Sequence, residues 1–192
     1  MEVYDAVVSR RTIRKFKQRN IPFRVLKQLV NAGRLAPSAA NLQPLKFIVV
    51  TAAKVREKIF GCLRWAGYIS PEWNPAKGQK PVAYIVIINN LEIAAQGHFE
   101  RDSGAAAQNI ILSAWEKDIG SCWLGAIDRK KISEILKIPA AYFVDTVIAL
   151  GFKDEKPGAV KWGEDCRYYK GKDGELKIPK RAMKEILHRD KF

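Results

Sequence analysis

An α+β fold is expected for this chain of 192 residues, on three observations. Apolar stretches of helical and of strand length alternate, but the strand-length ones are few. From Lys153 onward the chain is polar and continues no strand–helix–strand unit. Neither G-x-G-x-x-G nor G-x-x-x-x-G-K-[ST] occurs, so the phosphate loops of the commonest doubly wound sheets are missing.

The elements follow in order. Glu2–Ser9 reads as a short helix running into the basic stretch Arg10–Arg19. Pro22 suits the first turn of a second helix, with Val25, Leu26, Leu29 and Val30 on one face and Pro37 beyond its end. Ser38–Pro44 is a polar loop, and Leu45–Val50 is a short, β-branched run expected to be a buried strand. Lys54–Leu63 is helical, with Val55, Ile59 and Leu63 stacked on one side. Residues 65–81, with Pro71, Pro75, Gly78 and Pro81, form a loop. Val82–Asn89 is the clearest strand. Arg101–Lys117 is a helix whose inner face begins small, Gly104 to Ala107, before Ile111, Leu112 and Trp115, which suits a close helix contact or a dimer seam. Ser121–Ala126 is a short strand, Asp128 caps a helix over Arg129–Leu136, and Val144–Phe152 is another buried strand. The tail stays irregular until a helical turn or two at Lys180–Leu187.

At 47% hydrophobic, the chain has enough apolar material for one core, and a single domain over 1–192 is expected. The longest apolar runs are too short to span a bilayer, and Glu2 and Asp5 interrupt any leader-like start. Cys62, Cys122 and Cys166 lack disulfide or zinc spacing, so a reduced, cytoplasmic setting is expected. The net charge of +14 is uneven: +11 over residues 1–64, −1 over 65–150 and +4 over the remainder. Such a surface attracts phosphate esters, nucleic acid or acidic lipid, or is simply a solvated basic face.

Four segments carry chemistry. In Arg10-Arg11-Thr12-Ile13-Arg14-Lys15-Phe16 the guanidinium forks and a hydroxyl suit a phosphate, with Ile13 and Phe16 anchoring the segment; a solvated stretch is the plainer alternative. Ala36–Pro44 sets Ser38, Asn41 and Gln43 in a proline-bounded frame, fit for the rim of a planar heterocycle or for ordinary turn formation. In Gly120–Gly125 two glycines frame an apolar strand, and Gly125 lets backbone approach a flat ligand; a core strand fits equally. Pro179-Lys180-Arg181 adds two cations, which also read as surface. His98 and His188 have no triad or metal spacing, so no metal and no catalytic side chain are expected. An organic cofactor with its own reactivity suits such a chain.

Together, and in this order, the four segments resemble the nitroreductase family of FMN-dependent oxidoreductases. The family's Arg-Arg-Ser-x-Arg-x-Phe is similar to Arg10–Phe16, and its Ala-Pro-Ser-x-x-Asn-x-Gln-Pro matches Ala36–Pro44. Its Gln-Asn…Gly-x-x-x-x-Gly resembles Gln108-Asn109 through Gly120–Gly125, and its closing Lys/Arg segment resembles Pro179-Lys180-Arg181. The resemblance implies a central, mostly antiparallel sheet flanked by helices, in an intertwined homodimer. It also implies FMN, with its phosphate and ribityl chain held by Arg10, Arg11, Thr12, Arg14, Lys180 and Arg181. Pro37, Ser38, Ala39, Asn41 and Gln43 would reach the flavin of the other subunit, and Leu124 and Gly125 would lie near its ring. NADH or NADPH would donate electrons, and nitroaromatics or quinones would accept them in ping-pong order. Leu45 stands where the family often has Trp, the Glu-Gly pair of larger members is not evident, and Arg64 is a candidate for the pyrimidine end or, more plainly, a surface arginine. The alternatives are a basic nucleic-acid-binding protein and a flavin-binding protein without turnover.

Overall fold

The computed structural model describes residues 1–69, 74–94 and 99–192. The chain runs α1 (Val3–Ser9), β1 (Phe16–Lys17), α2 (Phe23–Arg34), β2 (Leu45–Val50), α3 (Ala53–Phe60) and β3 (Ala83–Asn90). There follow α4 (Leu91–Ala94), α5 (Phe99–Glu116), β4 (Ile119–Leu124), α6 (Arg129–Leu136) and β5 (Tyr142–Lys153). The tail adds β6 (Gly158–Lys161), β7 (Tyr169–Lys170) and β8 (Leu176–Lys180). Strands β1 to β5 share one sheet in which every ladder is antiparallel. β5 bonds to β1, β3 and β4, and β2 lies outside β3. The architecture is α+β, as expected.

Alternation along β3 shows how the sheet organises the molecule. Tyr84, Val86 and Ile88 face one apolar cluster with Ile59 of α3, Ile132 of α6, Ile13 and Phe16. Ala83, Ile85 and Ile87 face another with Leu26 and Leu29 of α2 and Ala107, Ile110 and Ile111 of α5. β3 is thus buried on both faces, which explains its unbroken apolar run. α2 and α5 approach closely because Gly33 has no side chain: a Cβ there would meet Ile110 Cδ1 at 2.8 Å. The alanine run of α5 was expected to make that contact; the glycine on the opposing helix permits it.

Several expectations need correction. β2 has the expected limits, but as an outer strand it buries only Val50 fully. Helix α5 starts at Phe99, two residues early, and its Leu112 and Trp115 are half-buried. The tail is not irregular: β6, β8 and β7 form a second, three-stranded sheet, with β6 parallel to β8. Its end is a single 3-10 turn, Met183–Glu185, in place of a longer helical run. Trp73 and His98 lie outside the described residues. Among the described residues no helix is long and apolar enough to cross a membrane.

Candidate functional site

The arginine segment is held along the sheet by its own apolar residues. Ile13 and Phe16 are fully buried. They lie where Gly120 and Gly151 lack side chains, since a Cβ at either glycine would come within 2.7 Å of Ile13 or Phe16. Thr12 bridges to Ser121 in parallel register, and the Ile13 N–H donates to the Ser121 carbonyl at 2.9 Å. The segment therefore meets β4 at Thr12, passes over Gly120 and its β5 partner Gly151, and pairs with β5 at Phe16; Ser121 lies about 13 Å along an extended chain from Gly125.

Nearly all of Glu155 is buried, and its carboxylate accepts the backbone N–H groups of Arg14 and of Lys15, the latter at 3.2 Å. The guanidinium of Arg14 lies 4.6 Å from the Tyr168 ring centre, and Tyr168 tilts against Tyr68 at 5.1 Å. Arg11 turns back through Nη1 to the carbonyls of Val8 and Arg10 at 2.9 and 2.6 Å. Burial, and then the charge of Arg11, lower the pKa of Arg10. Among the described residues the buried Nε atoms of Arg11 and Arg14 have no acceptor. Among the described residues no ion pair engages Arg10, Arg11 or Arg14. Crowded guanidinium groups with unused donors suit a phosphate ester.

The C-terminal end of β4 forms the second part. Leu124 is buried and Gly125 exposed. The Arg64 N–H donates to the Ala126 carbonyl at 3.0 Å and Leu63 bridges to Ile127, so Arg64, with an exposed side chain, stands beside this corner. Gly125 lines a cavity of about 350 Å³ with Glu100, Trp123, Arg129, Asp145 and Thr146. Arg129 donates to the carbonyls of Gly125 and Asp145 at 3.3 and 3.2 Å. Burial raises the Asp145 carboxyl, against the lowering effects of a hydrogen bond to Ser103 and the Arg129 charge. A larger cavity, about 770 Å³ between Trp115, Lys153 and Glu175, holds none of the expected site residues.

The third part is the Pro37–Gln43 loop. Its Ala39–Asn41 stretch is a 3-10 turn, and Ala40, Asn41 and Gln43 are left-handed, with φ of 47°, 55° and 51°. Ser38 Oγ accepts the Gln43 N–H at 3.1 Å, and Asp102 Oδ1 accepts the Ala39 N–H at 3.0 Å. Pro37, Asn41 and Gln43 are exposed. Lys180 and Arg181 end the tail sheet; the Lys180 carbonyl accepts the Trp162 N–H at 2.9 Å, and Arg181 lies 4.1 Å from the Trp162 ring centre. Thus the structure joins the arginine segment to β4 and brings Arg64 to its end. The 37–43 loop sits on α5, and the closing cations sit on the tail.

Sequence reasoning passed over Asp102 and Glu155, both buried acids with backbone partners. Asp102 offered a signal, an acid opening the small face of α5; Glu155, in a run of charges, offered none. Trp65, which reads equally as part of an apolar wall over an acceptor or as core, is core at 3% exposure, whereas Tyr68 is exposed. Burial pushes the Cys122 thiol up to about 11, which removes it as a nucleophile at neutral pH.

Comparison with known proteins bears on the fold and the family. The model of the Nitroreductase family matches residues 7–152. A Methanothermobacter thermautotrophicus protein with the provisional name NADH dehydrogenase/NAD(P)H nitroreductase is 32% identical over 165 residues, covering 82% of this chain and 81% of its own length. The structure of an FMN-dependent nitroreductase from Clostridium difficile superposes with a TM-score of 0.69 at 25% identity, over 98% of this chain and 99% of that one. The NADPH:FMN oxidoreductase of Vibrio harveyi, solved with NAD+, shares the fold at a TM-score of 0.70 and 20% identity, over 99% of this chain and 77% of that one. The ordered motifs, the antiparallel sheet and these likenesses converge: the chain belongs to the nitroreductase family.

Proposed function

We propose that this chain, acting as one domain, is an FMN-dependent oxidoreductase that passes electrons from NADH or NADPH to nitroaromatics, quinones or similar small acceptors in ping-pong order. The observation that carries the reading is the Thr12–Ser121 bridge. It brings the arginine segment, in which Arg11 and Arg14 each keep a buried Nε without an acceptor among the described residues, against the strand that ends at Leu124, just before Gly125, an arrangement that suits an anion beside a flat, open site. Arg10, Thr12 and Arg14 would hold the phosphate and ribityl chain, with Arg11, Lys180 and Arg181 adding positive charge. Leu124, Gly125 and Arg64 would border the ring. Bound FMN supplies a carrier of two electrons, which this set of side chains lacks.

Pro37, Ser38, Ala39, Asn41 and Gln43 would complete the site of a second subunit in a homodimer. Among the described residues their hydrogen bonds run within the loop and to α5, not to the arginine segment. Exposed Val3, Tyr4, Val7 and Val8 of α1, and Ile186 and Leu187 at the other end, are apolar surface of the kind an interface covers. A monomer mass in sedimentation would contradict the dimer.

Two charge-assisted contacts test the site. Arg10→Ala and Arg14→Ala should each weaken FMN binding by about 10- to 100-fold, the worth of a hydrogen bond between charged groups. Wild-type protein should also oxidise NADH or NADPH with a quinone or nitroaromatic present, giving parallel double-reciprocal lines. Unchanged flavin content in both variants sinks the phosphate assignment; absence of turnover with such acceptors sinks the activity.

A further inference from the structure

The Pro37–Gln43 loop is held in an unusual form before any ligand meets it. Three of the four residues Ala40–Gln43 are left-handed and none is glycine. L-residues enter that region at a cost and stay there where the surroundings over-determine the backbone. Within the loop, the Asn41 N–H donates to the Ser38 carbonyl at 3.0 Å and the Leu42 N–H to the Ala39 carbonyl at 2.9 Å. Those bonds shape the turn but do not fix it to the fold. Asp102 supplies the anchor. It sits in the first turn of α5, is 5% exposed, and its Oδ1 accepts the Ala39 N–H at 3.0 Å.

A buried acid is costly where it only fills space, since an apolar residue would pack there without loss of hydration. Its neighbour Ser103 is also buried and accepts from Asn89 Nδ2 at 3.2 Å, so the start of α5 is pinned to β3 by polar contacts. The carboxylate is therefore delivered from a rigid element to the start of a strained loop, an arrangement that favours precise placement over stability.

We propose that Asp102 is a positioning residue that holds the Ser38–Gln43 loop in the form that reads the flavin. The proposal rests on the oxidoreductase reading above. Asp102 touches neither FMN nor acceptor; it acts through Ala39. Loss of its oxygen frees the left-handed residues to relax, and the loop then pays an ordering cost each time FMN binds.

The test pairs hydrogen exchange of the full-length protein with FMN titration by fluorescence quenching. Asp102→Ala should speed exchange at the Ala39 amide by about tenfold or more and weaken the FMN dissociation constant by about tenfold, while β3 amides stay protected. Asp102→Asn keeps an oxygen acceptor and should stay within about threefold of wild type in both readouts. Should Asp102→Ala also loosen β3, Ala39→Pro removes the donor without touching α5 and should weaken FMN by a similar factor; Ser38 is already extended, as the residue before proline requires. The proposal is overturned if Ala39 stays protected in Asp102→Ala, if Asp102→Asn is damaged as much as the alanine variant, or if Ala39→Pro binds FMN like wild type. Failure of wild type to take up FMN would count against the oxidoreductase reading, and Ala39 exchange would still decide whether Asp102 braces the loop.

Discussion

Glu155 shows how one buried acid positions charge that it does not neutralise. It is 8% exposed and accepts from the backbone N–H groups of Arg14 and Lys15, and among the described residues no ion pair engages the Arg14 guanidinium. Burial pushes its carboxyl above the usual value, and this outweighs the two backbone hydrogen bonds and the charges of Arg14 and Lys15. A carboxyl raised in the folded state contributes most stability below its unfolded pKa, and the contribution is lost as pH rises through the folded pKa. In Glu155→Gln the amide oxygen can still accept, but nothing titrates. The stability of wild type minus that of Glu155→Gln should therefore fall as pH rises from about 4 toward 7 and level off above the raised pKa. Thermal melts across that range are the check, and a difference that grows with pH would contradict the account.

Gly120, inside β4, and Gly125, just past its end, separate a packed glycine from an open one. Gly120 lies under Ile13, whereas a Cβ on Gly125 would meet nothing within 4 Å. Gly120→Ala should destabilise the protein by about 1–3 kcal/mol through overpacking and should loosen the arginine segment. Gly125→Ala should change stability by less than about 0.5 kcal/mol. Chemical denaturation of the two variants is the comparison, and equal costs would show that the segment does not press on β4 as described. What was legible in these elements depended on local signals. Asp128 Oδ1 does accept the Lys131 N–H at 3.0 Å, and α6 spans Arg129–Leu136 as its cap predicts. The limits of β2 were readable from its β-branched run, but its outer place depends on which strands pair, and no residue of β2 encodes that. β6 pairs with β8 in parallel across the intervening chain, a pairing with no hairpin signal, whereas Asp173-Gly174 between β7 and β8 is a hairpin signal that the sequence reading passed over. The left-handed turns of the 37–43 loop fall on Ala, Asn and Gln, without the glycine that would announce them.

The whole molecule closes on itself through its N-terminal segment, which pairs with β4 at Thr12 and with β5 at Phe16 and Lys17. Helix α5 meanwhile ties the 37–43 loop to the sheet through Asp102 and Ser103. The candidate site is therefore made of pieces far apart in sequence, each of which alone reads as a basic stretch, a turn or a core strand. Their order along the chain carried the family resemblance, and contacts across the sheet account for the arrangement. The tail sheet lies beyond the region matched by the family model, and the packing of Tyr168, just before β7, on Arg14 had no counterpart in the sequence reading. The absorption spectrum of purified protein supplied with FMN, recorded without oxygen before and after NADPH, decides whether this chain works as a redox flavoprotein. A protein-bound flavin spectrum should appear, bleach on reduction and return when a quinone is added. A protein that stays colourless and takes up no FMN would contradict the oxidoreductase reading.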